Sequence, residues 1–193
     1  MDYRKIAESI KNRIEKTHDR EAYKDLLALC IGYEAEDFAA AHQLNSEVRK
    51  MTSEALRNEN PKDAEYFYTL HKQSMLFDAP HDFDTFLLYV EMDRKPEKRF
   101  YAPRRRYLRP IVQGYQDVLD GKLRLLTISL PKRAGKSQLG INFINMISGR
   151  NPDKSSLMEG TGDDLVRSFY NAVWNICKRR TSTCSMMCFR TLL

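Results

Sequence analysis

Gly135, Lys136 and Ser137 carry the clearest chemistry in this chain. They close the stretch 125–137, LLTISLPKRAGKS, in which an apolar run breaks at Pro131. A loop of this kind, set between a strand and a helix, turns successive backbone N–H groups and the helix N-terminus toward phosphate oxygens. Lys136 would reach the β- and γ-phosphates as a mobile point charge, and the Ser137 hydroxyl would help hold Mg²⁺. The pattern GxxxxGK[ST] would place its first glycine at Leu130, so this loop has to turn on Pro131 and Ala134, with Lys132 and Arg133 as two further cations. The plainer reading of the same residues is a helix start with an exposed lysine and solvated surface charges.

A second group precedes the loop. Residues 94–110 hold eight Lys or Arg against the single acid Glu97, a local balance of +7 in a chain of net charge +6. Phe100, Tyr101 and Tyr107 interleave with these cations, and Pro96, Pro103 and Pro110 exclude a continuous helix. Three readings are open: contact with nucleic-acid phosphates through Arg104, Arg105 and Arg106, closure over a bound nucleotide, or a basic linker that touches nothing. Gln113 and Gln116 are candidates for reading an adenine edge, since one amide both donates and accepts, and both also fit as solvated helix residues. Asp163 reads as a helix cap and not as a catalytic acid. No catalytic residue is assigned. Cys30, Cys177, Cys184 and Cys188 form no CxxC pair, and the last three stand far from the histidines, so neither a disulfide nor a zinc site is expected.

The elements that must position these groups follow from apolar spacing. Helices are expected over 2–16, from Asp19 until Gly32 interrupts, over 36–58, and from Pro61 through Met75. A turn at 79–82 leads to a short helix over 85–92 capped by Asp82 or Asp84, and another helix covers 108–119. Residues 125–130 have the length and β-branched content of a buried strand, and 138–148 of a helix packed on it. A second parallel strand is expected over 155–159, then a helix carrying Leu165, Phe169, Val173 and Ile176. The expected fold is therefore α/β, a P-loop NTPase core with a partial parallel sheet flanked by helices, preceded by an α-helical N-terminal region. No apolar run approaches the roughly 20 residues of a membrane span and no signal-peptide core opens the chain, so the expected setting is the cytoplasm.

The stretch ISLPKRAGKSQLG resembles the deviant Walker A motif of tailed-phage terminase large subunits, the ATPases that drive DNA into procapsids. Upstream, PRRRYLRPIVQGYQDVLDGKLRLL is similar to the adenine-binding segment of that family. Downstream, SSLMEGTGDDLVRSFYNAV is similar to its second strand and following helix. The likeness spans about 101–175. It implies ATP and Mg²⁺ as cofactors, with nucleotide held by residues 131–137, and points to Gln116, after Tyr115, as the adenine reader, whereas distance from the loop favours Gln113. As partners it implies double-stranded DNA, a terminase small subunit and a portal. The family's Walker B acid and nuclease domain have no counterpart, and CKRRTSTCSMMCFRTLL departs in composition from everything before it. The expected layout is a helical region over 1–93, a basic segment over 94–110, a partial ATPase core over 111–176 and an atypical tail over 177–193. An early termination, of which an out-of-frame tail is one source, would leave a chain that binds ATP and hydrolyses little. The rival readings are an unrelated P-loop protein and a non-enzymatic, basic helical protein that binds DNA or a capsid component.

Overall fold

Helical periodicity governs nearly everything this sequence builds. The computed structural model describes residues 2–17, 19–58 and 63–179. Its helices are α1 (Tyr3–Thr17), α2 (Arg20–Tyr33), α3 (Phe38–Asn58), α4 (Ala64–Asp78), α5 (Phe83–Glu91), α6 (Arg105–Leu119), α7 (Lys136–Arg150) and α8 (Asp163–Arg179). Single 3₁₀ turns stand at Pro96–Lys98 and Ala102–Arg104. The chain divides into two compact units, Met1–Asp78 and Ala79–Leu193. No helix among the described residues is long and apolar enough to cross a membrane.

The first unit is a bundle of α1 to α4. Asp19 caps α2 by accepting the Glu21 N–H at 3.0 Å. Leu26, Leu27, Cys30, Val48, Phe67 and Leu70 meet in its core. The Cys30 thiol is fully buried and donates to the Leu26 carbonyl at 3.2 Å; burial pushes its pKa up to about 12. Gly32 does not interrupt α2, which runs on to Tyr33. A helical glycine costs about 1 kcal/mol against alanine, and stacking of Tyr33 on Tyr3, ring centroids 4.6 Å apart, helps to offset it. Several polar groups between the helices are paired. His42 lies between the rings of Phe38 and Phe77, with Nδ1 2.5 Å from Asp78 and Nε2 3.3 Å from Glu34, and Asp78 also pairs with Arg49. The expected start of α4 at Pro61 lies outside the described residues.

The second unit gathers α5 to α8. Asp82, not Asp84, caps α5, accepting the Thr85 N–H at 2.9 Å. The rings of Phe83, Tyr115 and Phe143 join α5, α6 and α7, with centroids 4.5 to 5.4 Å apart. Helix α6 starts three residues before the expected 108 and carries Pro110 inside it. Because Pro110 lies in the second turn, it removes one hydrogen bond and leaves the helix running. Asp163 is the first helical residue of α8 and not its cap, so its charge acts on the helix dipole from within the first turn.

The expected α/β core is overturned: the described residues contain no strand, and the fold among them is helical. Residues 125–130 keep the burial pattern of a strand, since Leu126, Ile128 and Leu130 are half-buried and Leu125, Thr127 and Ser129 exposed. Leu126 packs on Gly114 of α6, its Cδ1 3.0 Å from where a Cβ would stand. What is missing is a neighbour. The expected second strand, 155–159, reads SSLME, and its Leu157 is 89 % exposed. A parallel sheet is covered on both faces and needs near-continuous apolar strands. Two apolar residues among three polar ones cannot supply one, so the run 125–130 has no ladder to join. The atypical tail is described only to the end of α8; residues 180–193 lie outside the described residues.

Candidate functional site

The loop is built by three backbone conformations in succession. Ala134 N–H turns back to the Pro131 carbonyl at 3.2 Å, Arg133 takes a left-handed φ of 67°, and Gly135 sits at φ 103°, ψ 15° as the residue before α7. A left-handed arginine costs roughly 1–2 kcal/mol, so neighbouring contacts must hold it. Lys136 and Ser137 then enter the first turn of α7, and the Leu139 N–H closes the first helical bond on the Gly135 carbonyl at 3.0 Å. No side chain caps this end and no acid lies in its first turn. The N–H groups of that turn therefore face outward with the positive end of the helix dipole. Pro131, Lys132, Arg133, Lys136 and Ser137 are exposed, Ala134 and Gly135 half-buried. The side chains of Lys132, Arg133, Lys136 and Ser137 make no hydrogen bond or ion pair among the described residues. Three cations, a hydroxyl and an uncapped helix start lie together here, a chemistry that suits an anion.

Phe100 holds this loop from outside. A Cβ added to Gly135 would stand 2.2 Å from both Cε2 and Cζ of the Phe100 ring, so the glycine is required by contact as well as by φ. The ring is in turn fixed from α5. The buried Glu91 carboxylate accepts the N–H of Phe100 at 2.7 Å, of Tyr101 at 2.8 Å on each oxygen, and of Ala102 at 3.1 Å. Two turns earlier on the same helix face, Asp84 accepts the Tyr101 hydroxyl and pairs with Arg105 through Nε at 3.0 Å and Nη2 at 2.5 Å. Burial, reinforced by this carboxylate, raises the Tyr101 pKa, and the Asp84 hydrogen bond raises that of Arg105. Arg99 donates to the carbonyls of Arg94 and Met92, closing the C-terminal end of α5. The basic segment is thus folded against α5 and runs directly into α6.

This folding sorts the candidates. Arg104 lies over the Phe100 ring, 5.5 Å from its centroid, and donates to the Phe100 carbonyl at 3.1 Å. Arg105 is committed to Asp84. Arg106 alone of the three is exposed without a partner among the described residues. Gln116 is fully engaged: its Oε1 accepts the Phe83 N–H at 2.9 Å, and its Nε2 donates to the His81 carbonyl and to Asp120, each at 2.9 Å. Gln113 is exposed and gives one N–H to Asp117 at 3.1 Å, which leaves its carbonyl open. Phe100, Glu91 and Asp84 escape a reading by motif. The available signal is the spacing of Asp84 and Glu91, seven residues apart on one short helix beside an excess of cations.

A scan against protein-family models finds no match to this chain, and searches of curated proteins and of solved structures find none either.

Proposed function

We propose that the loop 131–137 binds the phosphates of ATP with Mg²⁺, as the nucleotide-binding part of a tailed-phage terminase large subunit that acts on double-stranded DNA. The observation that carries this reading is the uncapped start of α7, with Gly135 at positive φ under Phe100 and with Lys136 and Ser137 free in the first turn. Backbone N–H groups and Lys136 take the phosphate oxygens, Ser137 holds the metal, and Lys132 and Arg133 add long-range attraction. Gln113, whose amide oxygen is open, is the better placed of the two glutamines to meet a base; Gln116 serves the contact of α6 with the start of α5.

Titration calorimetry of Mg-ATP into the wild-type chain and into Lys136→Ala tests the reading. Binding by the wild type that weakens at least about tenfold in the variant is expected, the loss of one charge-assisted contact being worth about 1.5–3 kcal/mol. Equal binding by both, or none by the wild type, removes the loop as a nucleotide site. Robust turnover abolished in Lys136→Ala would keep the site and refute the expectation of little hydrolysis.

A further inference from the structure

The first two turns of α6 present a face that the fold itself does not use. Leu108 and Val112 turn inward, while Arg106, Tyr107 and Arg109 turn to solvent, Tyr107 at 82 % exposure. Of the three rings in the basic segment, Tyr101 is fully buried and Phe100 is spent on Gly135, so Tyr107 is the only one facing out. Arg106 and Arg109 have no hydrogen-bond or ion-pair partner among the described residues. Their placement disfavours the isolated helix twice over. Cations near a helix N-terminus oppose its dipole, and like charges three apart repel. Arg105 is compensated by Asp84, but Arg106 and Arg109 are not. An anionic partner would convert both disadvantages into attraction. A bare aromatic ring beside two free guanidinium groups, on the side of α6 turned away from Leu108 and Val112, matches one polyanion in particular, a strand whose bases are unpaired and can stack while its phosphates pair with arginine.

We propose that this face of α6 binds single-stranded nucleic acid, with Tyr107 stacking on a base and Arg106 and Arg109 pairing with neighbouring phosphates of the same strand. The proposal does not rest on the loop 131–137 binding a nucleotide.

Fluorescence anisotropy with a labelled oligothymidylate of about 20 nucleotides, against a duplex of equal length, tests it at two salt concentrations. The wild type is expected to prefer the single strand. Tyr107→Ala is expected to weaken that binding about fivefold or more, and Tyr107→Phe to retain it, because stacking needs the ring and not the hydroxyl. The double variant Arg106→Gln/Arg109→Gln is expected to lower affinity and to reduce the salt slope by about 1.4, or 0.7 for each phosphate contact. Lys136→Ala is expected to bind the oligonucleotide as the wild type does. Unchanged binding by Tyr107→Ala, a preference for the duplex, an unchanged slope in the double variant, or dependence on Lys136 would each overturn the proposal. So would the absence of binding at low salt. All substituted side chains on α6 are exposed, and far-UV circular dichroism checks that the variants remain helical.

Discussion

Gly135 is under two constraints that a sequence shows unequally. Its place before Lys136 and Ser137 marks it as a loop glycine, but the ring that makes it irreplaceable belongs to Phe100, 35 residues earlier. Gly135→Ala is expected to lower stability by about 3 kcal/mol, combining roughly 1–2 kcal/mol for a side chain at positive φ with a comparable cost for overpacking. Urea denaturation of Gly135→Ala, Phe100→Ala and the double variant separates the two contributions. The double variant should be more stable than the sum of single losses allows, because removing the ring removes the clash; strict additivity would mean that the contact is not made. The two glutamines follow the same lesson. Residue type proposed both, and only the surroundings of Gln116, with all its amide bonds committed to the α5 start and Asp120, tell them apart.

At the scale of elements, the helices were legible because apolar residues recur at their period, and residue type narrowed the cap of α5 to Asp82 or Asp84, of which Asp82 serves. The strand was misread for a physical reason: alternating burial along 125–130 is present, but a strand exists only with a hydrogen-bonding neighbour, and that neighbour is a property of another segment. Of the three readings open for the basic segment, the structure excludes only the linker that touches nothing. Pro96 and Pro103 stand in 3₁₀ turns while Pro110 is carried inside α6, and acids outside the segment, Asp84 and Glu91, fold it against α5. Glu91 should therefore matter more than any cation it organises. Glu91→Ala leaves buried N–H groups without an acceptor and is expected to cost about 3 kcal/mol, while Glu91→Gln, which still accepts through one oxygen, should cost less than half of that. Limited trypsin digestion gives a local readout: cleavage within 94–106 should accelerate in Glu91→Ala before the rest of the chain is cut. Uniform acceleration along the chain would count against a local anchor.

For the molecule as a whole, one short stretch of the second unit, +7 over 94–110, exceeds the net charge of +6, while the first unit holds two half-buried imidazoles, His42 and His71. Burial, aided by the nearby Arg49 cation, lowers the pKa of His71 below its ordinary 6.5, and its Nδ1 lies 3.0 Å from the Thr52 hydroxyl. Burial shifts His42 in the same direction against the pull of Glu34. The folded state then holds fewer protons on His71 than the unfolded chain does. Its contribution to stability is complete above about pH 6.5 and is lost as pH falls from there through the lowered folded value. Thermal melts between pH 7.5 and pH 5 should show stability falling with acid, and His71→Gln, which stays neutral throughout, should flatten part of that fall. An identical slope in the variant would place the acid sensitivity elsewhere. None of this was legible beforehand, because a histidine's environment is set by helices that meet only after folding.

Cys30 gives the first unit a built-in clock. A thiol held fully inside the helical core, with its ionisation pushed far above neutral pH, is closed to alkylating reagents for as long as the bundle stays shut. At a fixed reagent concentration, its rate of modification, read by mass on the peptide that contains it, should therefore scale with the fraction of time these helices are open. A stabilising substitution among α1 to α4 should slow that rate in proportion. The same side chain that looks inert in the folded chain would then time its breathing, with no label added.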